Sequence, residues 1–225
     1  MRGGNAVRTA SFLAALVAST AAGAAGGHHG VDDAAILEPG RCELEGWTTR
    51  SRGGERLLHA GAGCRVGPVE LGLAAEHARA GGAGQSGYGV QAKWAREWRP
   101  GLSAGWSLSS GWQAQARPRY QGVTLAGLVT WAARDDLALH LNIGRDFVHR
   151  GPDQGRSGVG VEWAARPGWS LLGERYYEDS THFARAGLRW SASEAWTVDL
   201  SRAQRLRGPG ASAWTLGASW QFGRP

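Results

Sequence analysis

Beyond its first residues the chain has no unbroken apolar run of the roughly 20 residues that a membrane-spanning helix needs. That excludes a helical membrane protein, and the mean hydropathy of −0.33 agrees. Lysine is nearly missing: Lys93 is the single one, so arginine carries almost all of the basic excess behind the net charge of +6. The arginines are scattered, without the basic helix or stripe of a nucleic-acid binder, so no nucleic-acid partner is expected. Base composition favouring Arg over Lys is the plainer account, and arginines near a membrane rim would meet anionic lipid phosphates. Cysteine is limited to Cys42 and Cys64, which lie far from the N-terminal cleavage site and so exclude a lipoprotein's acylated cysteine. Glycine is abundant, 36 residues against a usual share of about 7%, but it follows no Gly-X-Y period. The Gly-rich stretch 81–87 lacks both the lysine and the following helix of a phosphate-binding loop, and reads as a flexible loop.

Residues 1–24 read as a secretory signal peptide. Arg2 and Arg8 form a basic start, residues 10–18 a short apolar core, and Ala22-Gly23-Ala24 a small-residue cleavage site. The core is too short to span about 30 Å of hydrocarbon as a helical anchor. Small residues continue to Gly27, so the cut has room to shift. Residues 25–41 follow as a polar, acidic lead-in closed by Pro39-Gly40.

The rest alternates. Leu137, Leu139, Leu141 and Ile143 share one face, opposite Ala138, His140, Asn142 and Gly144. Val123, Leu125, Val129 and Trp131 oppose Thr124, Ala126 and Thr130 in the same way. A period of two marks strands with two unlike faces. Twelve such strands are expected, over 42–50, 56–66, 69–78, 88–95, 102–114, 123–132, 137–147, 158–165, 170–177, 183–190, 197–202 and 213–222. A soluble β-sandwich would also alternate, but tryptophan argues against it. Trp94, Trp98, Trp131, Trp163, Trp169, Trp190, Trp196 and Trp220 all lie beside one set of alternate turns or the C-terminal end. Tryptophan favours the membrane–water boundary, where its ring is in lipid and its N–H is wet. The expected fold is therefore all-β: a transmembrane antiparallel β-barrel over residues 42–222, after a cleaved signal peptide, with 223–225 as a C-terminal extension.

The turns fit this arrangement. With both termini in the periplasm, the lead-in is periplasmic, within reach of the barrel mouth. The periplasmic turns are then short, and the longest extracellular loops, 79–87 and 149–157, run to only about nine residues. Such loops leave no room for a large folded-in plug. A first hairpin turning about Gly53 sets Cys42 opposite Cys64, so a disulfide is expected, with two free thiols as the alternative. Strand 170–177 resists assignment, since either phase sends Glu174 or Arg175 toward lipid. A bulge at Leu171-Leu172 would re-phase it.

The last strand carries Thr215, Gly217, Trp220 and Phe222 in the order polar, glycine, aromatic, aromatic. It resembles the C-terminal assembly signal of Gram-negative outer-membrane barrels, except that Gly223-Arg224-Pro225 follows the final aromatic. The resemblance implies the cell outer membrane as location, outer-membrane lipids as surroundings and docking to the barrel-assembly machinery by strand pairing. Among such proteins the chain is similar to the small barrels that are described as transporters on fold alone.

The phase sends Glu43, Glu45, His59, Arg65, Glu70, Glu76, Lys93, His140, Asn142, Glu162, Arg185, Arg189 and Asp199 inward. Lys93, Arg185 and Arg189 would favour small anions if free, which suggests a narrow channel for small polar or anionic solutes. Pairing with Glu162, Asp199, Glu70 or Glu76 would give a sealed, salt-bridged lumen and a structural or accessory barrel instead. His140 and Asn142 suggest the third option, a lipid hydrolase, but they face the lumen, no serine is placed beside His140, and no Gly-x-Ser-x-Gly elbow occurs. No catalytic residue is assigned. His28, His29, Asp32 and Asp33 have metal-ligand chemistry, yet in a polar lead-in they read as solvated. Neither metal nor cofactor is expected, and nothing in the sequence encodes an oligomeric state.

Overall fold

The computed structural model describes residues 28–224. The signal peptide read over residues 1–24 lies outside them. The chain forms twelve strands: β1 (Arg41–Ser51), β2 (Arg56–Val66), β3 (Val69–Ala80), β4 (Ala83–Arg99), β5 (Leu102–Gln113), β6 (Tyr120–Arg134), β7 (Leu137–Val148), β8 (Gln154–Arg166), β9 (Trp169–Glu178), β10 (Thr181–Ser191), β11 (Trp196–Arg207) and β12 (Ala213–Gly223). Each pairs antiparallel with the next, and β12 pairs with β1 from Arg41↔Gly223 to Ser51↔Ala213, closing the barrel. Closure leaves no strand edge unpaired, which a bilayer demands because no water is there to satisfy a free N–H or C=O.

The outer wall is apolar and uncovered. Leu58, Leu73, Ile143, Val159, Leu200 and Leu216 are all 46% exposed or more. A soluble protein would bury so large a belt, so the belt faces lipid. All eight tryptophans of the expected girdle fall on this outward phase, toward the end that carries the termini. Trp169 stacks on Trp190 and Trp196 on Trp220, each with ring centroids 5.8 Å apart. Trp106, cross-strand partner of Trp94, joins them. At the same rim Trp163 Nε1 donates to Asp136 Oδ2 at 3.1 Å, a wet partner of the kind the girdle needs. Against the desolvation that opposes them, that bond and the Arg134 guanidinium together hold the Asp136 carboxyl below its ordinary range.

Two readings of the sequence need correction. Stretch 81–87 is not a loop: β3 and β4 remain paired up to Ala80↔Ala83, and the turn is only Gly81-Gly82, with φ of +55° and +84°. Positive φ at both residues is what a two-residue hairpin turn of matching twist requires, and glycine meets it without strain. The second correction concerns β9, which has no bulge at Leu171-Leu172; its pairing with β8 and β10 is regular there. Glu174 faces the lumen and Arg175 faces outward, where its guanidinium donates to the Phe183 carbonyl at 3.1 Å.

Cys42 and Cys64 are cross-strand partners on β1 and β2 and are joined as a disulfide.

Candidate functional site

The lumen is not empty. Residues 28–40 do not trail in the periplasm. From the β1 end they turn up into the barrel and pass around its inner wall, touching strand after strand. The Leu37 N–H donates to Glu70 on β3 (2.9 Å), and the Leu37 carbonyl accepts from Arg65 on β2 (2.9 Å). Ala34 N–H donates to Thr130 on β6 (2.8 Å). Asp32 exchanges two bonds with Asn142 on β7, N–H to Oδ1 at 2.6 Å and carbonyl from Nδ2 at 2.7 Å. Gly30 and Val31 N–H groups both donate to Glu174 on β9 (3.2 and 3.3 Å). The His28 carbonyl accepts from Arg185 on β10, and the His28 ring lies 6.2 Å from that of Trp47 on β1.

These contacts answer a physical need. An irregular segment has no ladder to satisfy its backbone, so in a closed lumen the wall must supply the partners. Here inward polar side chains do so, while Val31, Ala34 and Leu37 are at most 5% exposed. Ala34 packs with Ala126 and Leu128 of β6 in a small apolar core inside the barrel. Glycines on both sides make room: a Cβ on Gly158 of the wall would lie 2.6 Å from Val31 Cγ2, and one on Gly30 of the segment would lie 2.6 Å from the Tyr176 ring.

All seven lumen candidates face inward, but the three cations form no free cluster. Lys93 donates to Asp32 Oδ1 (2.9 Å) and Asp33 Oδ1 (3.1 Å), both on the segment. Arg189 lies between Asp199 (2.8 Å) and Glu162 (3.3 Å). Arg185 holds Glu174 at 3.5 Å as well as the His28 carbonyl. Burial explains the pairing, since an unpaired guanidinium or ammonium inside the barrel would cost several kcal/mol, on the order of the penalty for a lone buried charge. His140 Nδ1 is bonded to Thr130 Oγ1 at 2.9 Å and Asn142 is taken up by Asp32, so neither is set against a serine. His28, His29 and Asp199 bring ligand atoms within 4.8 Å of one another. Arg189 pairs with Asp199 at 2.8 Å and Arg185 donates to the His28 carbonyl, so two guanidinium groups stand beside this cluster. Asp32 and Asp33, grouped with the histidines by sequence proximity, belong instead to Lys93.

Above the segment the lumen opens into a cavity of about 730 Å³ toward the extracellular end, with His29, Gly30, Asp32 and Leu37 in its floor. Glu43, Glu45, Glu70, Glu76, Asp146 and Glu178 line its wall. Arg156 spans Asp146 (3.6 Å) and Glu178, and Trp47 stacks on His59 with centroids 3.4 Å apart. Trp47, Asp146, Arg156, Tyr176 and Glu178 had no place among the sequence candidates. The strand phase that selected the others would have included Trp47 and Asp146, while Arg156 and Glu178 lie outside the expected strands and Tyr176 is on the strand whose phase was open.

In the C-terminal strand, Thr215 bonds Thr49 across β1 (2.9 Å), Gly217 faces inward and Trp220 stacks on Phe222 (4.9 Å).

A family model described as uncharacterised conserved protein UCP029691 matches residues 13–222. No curated protein matches the sequence. Among solved structures the chain is similar to the KdgM porin, with 12% identity and a TM-score of 0.64 over 80% of this chain and 99% of that one. That porin is also known in complex with disordered oligogalacturonate. The NanC porin aligns with 8% identity and a TM-score of 0.61, over 80% and 98% of the two chains. The Ralstonia pickettii toluene transporter TbuX aligns with 10% identity and a TM-score of 0.55, over 83% and 90%. These solved relatives are porins and transporters, not enzymes, and the shared fold is that of a Gram-negative outer-membrane β-barrel.

Proposed function

The chain belongs to the UCP029691 family, and from that premise we propose that it is a narrow outer-membrane channel for small polar or anionic solutes, with residues 28–40 as its constriction. The observation that carries this reading is a polar cavity of about 730 Å³ open toward the extracellular end and floored by a segment held mainly through side chains. A wall built only for strength would fill with packed side chains, whereas this one keeps a charged, water-accessible vestibule. The segment also bears on charge selectivity. Seated, Asp32 and Asp33 neutralise Lys93 and the vestibule wall is mostly acidic. Displaced, it leaves Lys93 without those two carboxylates, and an anionic solute can take their place. The oligogalacturonate complex of the KdgM porin is consistent with a fold that accommodates anionic solutes.

Transport without chemistry is part of the proposal, because His140 and Asn142 are committed to Thr130 and Asp32. The C-terminal strand is proposed to meet the assembly machinery before β12 pairs with β1, since closure uses the edge that docking would need.

One observation favours a second reading, a sealed structural barrel: every lumen cation of the candidate set is paired. Planar-bilayer recording separates the two. Under the channel reading the mature chain conducts in small steps, and a variant lacking residues 28–40 conducts in larger ones. Silence from both, in barrels shown to be folded, leaves the sealed reading.

A further inference from the structure

Four arginines stand in one row on the lipid-facing wall. Arg202 on β11 is the cross-strand partner of Trp214 on β12, and Trp214 of Arg50 on β1. Arg50 is in turn the partner of Arg56 on β2, and Arg56 of Arg79 on β3. The row thus crosses five neighbouring strands without a break. Each member is exposed and shares its phase with outward apolar residues: Arg56 with Leu58, Arg79 with Leu73, Arg202 with Leu200, and Trp214 with Leu216. Trp214 is 52% exposed, and the Arg202 guanidinium lies 5.4 Å from its ring centroid.

Directly opposed like charges destabilise a sheet, and adjacent strands are only about 4.8 Å apart. Arg50–Arg56 and Arg56–Arg79 are two such pairs in succession. Several cations elsewhere in the barrel have carboxylate partners: Arg145 pairs with Asp153 at 3.4 Å, Arg134 with Asp136 at 2.9 Å, and Lys93 with two carboxylates. None of the four in the row has an ion-pair partner among the described residues. Arg79 donates to His77 (3.2 Å) and Arg202 to Gln204 (3.5 Å), neither of which carries the needed negative charge. The row lies toward the end opposite the termini, beyond the apolar belt, with a tryptophan in line. That is the level of lipid headgroups in the outer leaflet.

We propose that this face of β11, β12, β1, β2 and β3 is a binding site for a phosphorylated lipid of the outer leaflet. Arg50, Arg56, Arg79 and Arg202 hold its phosphates, and its acyl chains lie on Leu58 and Leu73. Guanidinium forks match phosphate oxygens two at a time, and one phosphate can serve two neighbouring arginines. Bound phosphate turns a repulsive row into an attractive one. Nothing in the inference depends on whether the lumen conducts.

The test uses the folded mature chain in neutral detergent, titrated with lipopolysaccharide while thermal unfolding is followed. Lipopolysaccharide should raise Tm by several degrees, and the same lipid stripped of its phosphates should not. In R50Q/R56Q/R79Q the concentration needed for half of the shift should rise at least tenfold, and Tm without lipid should equal or exceed that of the parent. R134Q/R166Q, at the opposite rim, should respond like the parent. If the triple variant does not fold, R56Q alone carries the test through the same shift in midpoint. Equal responses from parent and row variants would overturn the proposal, as would equal binding of the dephosphorylated lipid. Inorganic phosphate reproducing the whole shift by itself would overturn it too, as it would make the ligand a free anion.

Discussion

Lys93 on β4 donates to Asp32 of the N-terminal segment at 2.9 Å, joining the chain's single lysine to the strap that runs through its own barrel. Asp33 completes the clasp at 3.1 Å. The strap is also held by hydrogen bonds to its backbone and by His29 beside Glu174 (3.5 Å) and Asp199 (3.8 Å), but the Lys93 clasp is the shortest ionic contact it makes with the wall.

Loosening the clasp should be read in current. In D32N/D33N, Lys93 stays buried without its counter-charges, a change that typically costs about 3–5 kcal/mol. The expected result is a less firmly seated strap, larger conductance steps and a reversal potential shifted toward anions under a salt gradient. Unchanged conductance and unchanged selectivity would show that the strap does not control the pore.

Steric displacement should give the larger steps without touching a charge. Gly158 faces Val31 so closely that a Cβ there would lie 2.6 Å from Val31 Cγ2. G158V keeps a good strand residue in β8 but cannot coexist with Val31 in place. Conductance should rise while the barrel still shows slower mobility when boiled than when unheated; a normal closed-state current would count against the seating described here.

Leu139 tests the outward phase. It is 37% exposed between Trp131 and Val161, its cross-strand partners. L139R should lower folding stability by roughly 2–4 kcal/mol if the residue is near mid-bilayer, falling toward nothing near an interface. Urea titration of the variant in lipid vesicles measures this, and an unchanged midpoint would place Leu139 outside the hydrocarbon.

The Cys42–Cys64 disulfide closes a short loop of sequence separation 22. C42S/C64S should lose roughly 3 kcal/mol by the loop-entropy relation, seen in the same titration. Reducing agent should bring the parent to the variant's midpoint and leave the variant unmoved.

The strand pattern was legible because alternation is local: Leu139 and His140 point apart whatever the rest of the chain does. Strand ends were less so. Residues 83–87 include two glycines and read as loop, yet β3 offers a ladder that a weak strand former can join. The phase of Glu174 and Arg175 also needed tertiary structure, because either could face lipid until Glu174 met the backbone of Gly30 and Val31.

Period-two patterning and the placement of tryptophan thus determined by themselves that this chain is a barrel in a membrane and, outside β9, which strand side chains enter its lumen. Only closure decided how those side chains are used. Asp32 and Lys93 are 61 positions apart, and Gly30 and Glu174 are 144. Nothing in local sequence couples them. They meet because twelve paired strands bring distant walls around one small volume, in which buried charges and an irregular backbone must find their partners in one another.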